Sequence, residues 1–270
     1  RVGHTGTLDP AATGLLILCL GPATRLSEYL TGLDKVYDGG MRFGVATDSY
    51  DMDGTVLEEN DVPEDLTIEA IQAICDKYVG DILQAPPMVS AVKVGGERLY
   101  KKARKGEVVE REPRPVHVDE FTVLGYEPPL ATFRVACTRG TYVRSLCHDV
   151  GEEIGCGATL NTLRRTHVGR HCVDNAATID DLETPEDVLD ALVPLGEALD
   201  LPFVVIRPGR RQMVSSGSAL GMGDIVEKCP VSDGWVQVKS ERGELLALAQ
   251  VERGPEVRLN PRRVFIGDRK

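Results

Sequence analysis

Between Lys35 and Gly155 the hydrophobic residues change period repeatedly, from two to between three and four and back, without forming a regular strand–helix repeat. "KVYDGGMRFGV" alternates loosely and is bounded by glycine, which predicts a strand pair or a bulged strand. "DLTIEAIQAICDKYVG" reads as an amphipathic helix: Thr67 is placed to cap it, Ile68, Ile71, Ile74 and Cys75 form the apolar stripe, and Gly80 stops it. "RPVHVDEFTVLGYE" and "LATFRVACTRGTYVRSLCHDVGEEIG" supply alternating strands and then a helix ending at Gly155, while "ATRLSEYL" sets Leu26, Tyr29 and Leu30 on one helical stripe. Strands and helices mixed without strict βαβ order predict an α+β fold rather than a doubly wound one.

The pattern shifts near residue 200. "TIDDLETPEDVLDALVPLGEAL" reads as an acidic linker with short helices, beginning at about residue 174. From Phe203 the apolar runs are short ("FVVI", "GWVQVKS", "LLALAQVE", "RRVFI") and separated by turns, predicting a small all-β module. The expected division is therefore residues 1–200 and 201–270. The longest apolar run, Leu15 to Leu20, is far short of the roughly 20 residues that span a bilayer, so no membrane partner is expected. There is no basic-then-apolar leader and no initiator Met, which predicts a cytoplasmic protein with residues preceding Arg1. The 7 cysteines are scattered, with no Cys-x-x-Cys, as reduced thiols would be; neither a zinc site nor a disulfide framework is expected.

A net charge of −11 argues at first against a nucleic-acid partner. The charge is segregated, however. Residues 48–69 and 174–200 are acidic without a single Lys or Arg, whereas Lys93 to Arg114 is a basic stretch, so a basic face on an acidic protein is possible.

Three segments carry candidate chemistry. "GHTGTLDP" presents a lone carboxylate, Asp9, at the end of a Gly- and Thr-rich loop that lets a ligand approach the backbone, with His4 as a planar neighbour and the apolar "ATGLLILCLG" behind. A carboxylate held between a tight loop and a core segment suits a nucleophile or base; alternatively, Asp9 caps a local turn. Tyr37 in "KVYDGG" is either a core ring or a site residue. Arg144, between a strand and a helix, is either a surface ion-pair partner or the cation facing Asp9, where it would favour the charged carboxylate. Cys147 and His148 are adjacent on a helix and point about 100° apart, so they make a poor nucleophile pair. "ATDSYDMDG" lacks the spacing of a calcium loop.

The segments "GHTGTLDPAATGLLILCLGPATRLSEYL", "DKVYDGGMRFGVATDSYDMDG", "PPMVSAVKVGGERLYKKARKGEVVEREPRPVHV" and "TRGTYVRSLCHDVGEEIGCGATLNTLRRTHVG" together resemble, in order, the signatures of the TruB family of tRNA pseudouridine(55) synthases, in its stand-alone bacterial form. The resemblance implies a catalytic domain with a mixed, mainly antiparallel sheet flanked by helices, followed by a PUA-like RNA-binding module. It implies catalytic roles for Asp9, for Tyr37 of the K-x-Y motif, which would stack on the target base, and for Arg144, which would pair with Asp9. It implies substrate contacts from His4 and from Leu163 as pocket wall, and phosphate contacts from Lys93, Arg164 and Arg165. It further implies a K-P-x-G-x-[ST]-S segment before G-H-T-G.

The implied reaction is cofactor-free and metal-free isomerisation of uridine to pseudouridine on a flipped-out base in the T-stem-loop of tRNA, by a monomer. The alternative of another class is a tRNA-binding or RNA-chaperone protein without catalysis, for which Asp9, Tyr37 and Arg144 would not be needed together. A scaffold-bound H/ACA-type enzyme is disfavoured by the short C-terminal module.

Overall fold

The strand Lys35–Phe43 is the centre of the larger unit, hydrogen-bonded antiparallel to Leu130–Cys137 on one side and to Ala158–Val168 on the other. In this computed structural model, residues 1–90, 93–94, 97–98, 109, 111–228 and 233–266 are described. The sheet runs in the order His171–Cys172, Ala158–Val168, Lys35–Phe43, Leu130–Cys137, Arg114–Glu127, Gly80–Gln84; the short strand Thr13–Gly14 lies parallel against Ala158–Val168. The chain divides into two units, one of residues 6–17 and 31–176, the other of residues 1–5, 18–30 and 177–270.

Alternation along each strand decides which face is dry. Met41, Phe43, Ala131, Phe133, Val135 and Phe121 point to one side, where they are almost wholly buried against Ile71 and Cys75 of the helix Ile68–Cys75 and Leu146, Cys147 and Val150 of the helix Val143–Ile154. Each such side chain contributes about 1.5–3 kcal/mol of burial. The intervening residues, among them Asp38, Arg42, Thr132 and Arg134, form the opposite face, where Arg134 grips Asp38 through two hydrogen bonds of 2.7 and 2.8 Å.

Thr67 caps the first of these helices as its sequence predicts, its Oγ1 accepting from Ala70 N at 3.2 Å. The helix ends earlier than expected, at Cys75, and Gly80 opens the next strand instead of stopping the helix. Gly155 ends the second helix in a left-handed conformation (φ 91°). The Gly39–Gly40 pair forms neither turn nor bulge: the central strand runs straight through it. A Cβ on Gly39 would lie 2.5 Å from Phe133 Cζ, so the missing side chain is what lets the Phe133 ring cross the strand. "ATRLSEYL" forms a 3-10 turn, Gly21–Leu26, continuing into a short helix, Ser27–Thr31.

In the other unit, six strands order as Leu220–Gly221, Val257–Val264, Leu245–Arg253, Gly234–Lys239, Phe203–Ile206 and Ile225–Lys228 around a core that includes Val204, Val236, Leu246 and Leu259, with Val214 of the short helix Arg211–Ser215. Tyr29 packs edge-on against Trp235 at 5.0 Å. The acidic segment is a chain of short turns capped by Thr178 with Asp181 and Thr184 with Asp187. Among the described residues no helix is long and apolar enough to cross a membrane.

Two consequences are measurable. Gly39→Ala forces Cβ against Phe133 and the Thr162 carbonyl, and is expected to cost about 1–3 kcal/mol in urea unfolding. Lys35 is buried on the central strand, its Nζ donating to the Thr31 carbonyl at 2.6 Å and to the Leu33 carbonyl. Burial, with the nearby Arg165 charge, pulls its pKa down from 10.5 to about 8. The unfolded chain then holds a proton at this site that the folded chain has lost between those values, so Lys35 makes stability rise with pH across that window. Lys35→Met should flatten that rise in urea midpoints measured at intervals from pH 7.5 to 10.5; an unchanged slope would refute the assignment.

Candidate active site

The loop of residues 6–15 carries Asp9 and is closed by a turn in which Pro10 follows Asp9 and Ala12 N donates to the Asp9 carbonyl at 2.9 Å. Behind it stands the second residue of the helix Val143–Ile154, Arg144. The start of that helix is fixed by Gln84, a buried side chain that accepts from Tyr142 N at 2.7 Å and donates to the Tyr142 carbonyl at 3.1 Å. From there the Arg144 guanidinium reaches both oxygens of Asp9: Nε lies 2.9 Å from Oδ2 and Nη2 donates to Oδ1 at 3.3 Å. The Nε contact is an ion pair rather than an aligned hydrogen bond, since Nε–H has no acceptor in line.

The same guanidinium has three other partners. Nη1 donates to the Ser49 carbonyl at 2.9 Å and lies 3.2 Å from Asp51 Oδ2, and Nη2 also donates to the Val89 carbonyl at 2.9 Å. The Arg144 side chain is 4% exposed while that of Asp9 is 42% exposed. The pair is thus closed at the arginine and open at the carboxylate, which leaves Asp9 accessible to a ligand on one side only.

Asp51 is the residue that sequence reasoning missed. Its second oxygen accepts from Ser49 Oγ at 2.5 Å and from Asp53 N at 3.2 Å, and Tyr50, between Ser49 and Asp51, takes a left-handed backbone (φ 65°). A bulky residue in that conformation is strained, and it lets the Ser49 carbonyl and Asp51 carboxylate face the same guanidinium. The Tyr50 ring lies flat on His148 at 3.9 Å, which places His148 in a stack and away from any pairing with the buried Cys147. The run of aspartates in "ATDSYDMDG" was the available signal; its Asp51 faces an arginine.

Tyr37 lies on the central strand directly across from Arg165 in the neighbouring strand. Burial pushes the Tyr37 hydroxyl above its ordinary pKa, with the Asp9 charge adding to the rise. Asp9 and Arg144 therefore come together, with Tyr37 near enough to feel the Asp9 charge. Leu163 packs against the core and, with Arg164, Ala11, Thr13, Asp38 and Gly39, lines a cleft of about 400 Å³ beside the same loop; Asp9, Tyr37 and Arg144 are not among its walls. Arg164 is exposed, without an ion-pair partner among the described residues. Arg165 does not fit the expected phosphate contact: it is 2% exposed and spends its donors inside the protein. His4 is exposed on the two-stranded ribbon of Val2–His4 and Leu18–Leu20 in the other unit. Lys93 lies in a short strand, Lys93–Val94, paired with Glu97–Arg98; residues 95–96, 99–108 and 110 of the basic stretch fall outside the described residues. No group of three potential metal ligands occurs among the described residues.

Comparison with known proteins gives the arrangement a lineage. The model for the TruB family pseudouridylate synthase N-terminal domain matches residues 1–143, and that for the tRNA pseudouridylate synthase B C-terminal domain matches residues 144–200. A tRNA pseudouridine synthase B of Opitutus terrae is 48% identical over 201 residues, covering 73% of this chain and 83% of that protein. One from Burkholderia mallei is 41% identical over 258 residues, covering 94% and 85%. Among solved structures, a chain of an H/ACA RNP bound to a substrate RNA containing 2'-deoxyuridine superposes with a TM-score of 0.74 at 25% identity, covering 99% of this chain and 77% of that one. A chain of a Cbf5-Nop10-Gar1 complex gives 0.73 at 27% identity, covering 98% and 77%. With family models matching from Arg1 to Asp200 and relatives above 40% identity along most of its length, the chain belongs to the TruB family of pseudouridine synthases.

Proposed function

We propose that this chain isomerises uridine 55, in the T-loop of tRNA, to pseudouridine, with Asp9 as the catalytic carboxylate. The observation that carries the reading is the Asp9–Arg144 pair: a carboxylate open to a ligand and gripped from behind by an arginine that is itself out of water. Its relatives are named for pseudouridine synthesis in tRNA.

The target uridine must leave its stack to meet Asp9. Asp9 attacks the base or the sugar, the bond from N1 to C1′ breaks, and the uracil turns. The bond from C5 to C1′ then forms, C5 gives up its proton and N1 gains one, so the reaction is balanced without a redox partner. Arg144 holds the carboxylate aimed at the substrate, and Tyr37 stacks on the uracil. Arg164 and the basic stretch from Lys93 supply phosphate contacts, which makes binding salt-dependent. The six-stranded unit serves as a PUA-like RNA-binding module, and the protein acts as a cytoplasmic monomer.

Pseudouridine mapping on an unmodified tRNA transcript tests this directly. The reading expects a single new pseudouridine at position 55. Asp9→Asn should lower turnover by about 10³-fold or more while tRNA binding is kept; undiminished activity in that variant would remove Asp9 from the mechanism, and no pseudouridine from the unmutated chain would leave an RNA-binding protein. Asp51→Asn removes one charge from Arg144 but leaves its carbonyl partners. It should lower turnover by about 10–100-fold through misplacement of Asp9, with the affinity for tRNA changed little.

A further inference from the structure

The helix Val143–Ile154 brings more to Asp9 than Arg144. One turn further on it carries His148, and residues four apart on a helix are neighbours on one face. The His148 ring lies flat on Tyr50, with centroids 3.9 Å apart and planes at 10°. Tyr50 (φ 65°) is the one non-glycine residue with a positive φ among the described residues. It stands between Ser49 and Asp51, the two partners of Arg144 Nη1. Main-chain bonds seat this turn on the neighbouring strand: the Tyr50 carbonyl accepts from Leu160 N at 2.9 Å, and Met52 N donates to the Leu160 carbonyl at 3.2 Å. A residue of any type could make the first of these bonds. Glycine would also take the left-handed backbone freely, whereas tyrosine takes it at a steric cost, and what it adds is its ring. Rotation about the N–Cα bond of Tyr50 swings the planar Ser49–Tyr50 peptide, so a ring held in place limits where the Ser49 carbonyl can point. His148 Nδ1 is buried with no hydrogen-bond partner among the described residues, and burial holds the imidazole below its ordinary pKa, so a neutral ring is placed by contact.

We propose that His148 is a positioning residue for the reaction: by stacking on Tyr50 it locks the Ser49–Asp51 turn against Arg144, and through Arg144 it holds Asp9 in aim. One helix face then delivers both the cation and the ring that fixes the cation's partners, so a shift of the helix carries the two together. Without the ring the turn keeps its main-chain seat on Leu160, but the Ser49 carbonyl and the Asp51 carboxylate lose their fixed direction. The guanidinium then has room to turn away from Asp9. A small displacement there acts on turnover rather than on the affinity for RNA. This role rests on the proposed isomerisation, in which Asp9 is the catalytic carboxylate.

The test uses the full chain with a tRNA transcript, reading kcat and KM separately, with thermal melting to confirm folding. His148→Ala should lower kcat by about 5–20-fold with KM changed less than about threefold. His148→Phe, which keeps a flat ring, should recover most of that loss. Tyr50→Gly, in which the left-handed backbone carries no strain, should lose as much as His148→Ala because it lacks the ring. In the Asp51→Asn background, His148→Ala should cost no more than about a further twofold, because the partner it holds is already weakened. The Arg144 Nε–H proton, followed by NMR in isotope-labelled protein, gives a readout without substrate. His148→Ala should speed its exchange with solvent by about 10-fold or more, and His148→Phe should restore it. Full turnover in His148→Ala or Tyr50→Gly, equal losses from His148→Ala with and without the Asp51 charge, or unchanged Nε–H exchange would each overturn the proposal. No pseudouridine from the unmutated chain would instead defeat the isomerisation, and the exchange measurement would still decide whether His148 holds Arg144.

Discussion

The buried guanidinium of Arg144 is the interaction on which the site depends. Removing such a group from water costs several kcal/mol, and the cost is offset only if its donors and charge are met. Here they are met by parts of the chain far apart in sequence: Asp9 from the first loop, Ser49 and Asp51 from the turn after the central strand, and Val89 from the segment after the strand Gly80–Gln84. One side chain therefore forces three loops into register, and the strain at Tyr50 belongs to the same arrangement. The helix that delivers Arg144 is in turn fixed by the two-way amide contact between Gln84 and the Tyr142 backbone. Position along the helix, not flexibility of a long side chain, sets where the charge stands.

Two arginines divide the work around Asp9. Arg144 faces its carboxylate, whereas Arg165, from the strand Ala158–Val168, donates to the Gly6 and Leu15 carbonyls at the two ends of its loop. Both are nearly inaccessible to solvent. In a protein of net charge −11, both cations stand inside the unit of residues 6–17 and 31–176, while residues 48–69 and 174–200 carry acids with no Lys or Arg.

Much of this could be read from the sequence, for identifiable reasons. Thr67, Gly155 and the alternation of residues 130–137 are local signals, and the structure follows them because cap, left-handed stop and two-residue period act within a few residues. The pairing of Asp9 with Arg144 was one of two readings the residues left open, and only motif resemblance favoured it, since nothing local in "TYVRS" says which carboxylate its arginine will meet. Arg165 was misread for the same reason. An arginine beside Arg164 in "TLRR" looks like surface charge, but alternation along Ala158–Val168 turns Arg164 out and Arg165 in. Asp51 was hidden by its acidic neighbours, and the straight passage through Gly39–Gly40 depends on the Phe133 ring from another strand.

The fastening of residues 6 and 15 to Arg165 has a kinetic consequence. A loop pinned at both ends by one side chain behaves like a ring closed by a non-covalent staple, and it has no hinge of its own. Its amides cannot open by fraying from one end; they must wait for a fluctuation that releases Arg165 from the sheet. In hydrogen exchange the Asp9 loop, although at the surface, should therefore share the protection of the strand Ala158–Val168 rather than that of an ordinary surface turn. The Asp9 carboxylate would then stand at the surface while moving on the timescale of the core.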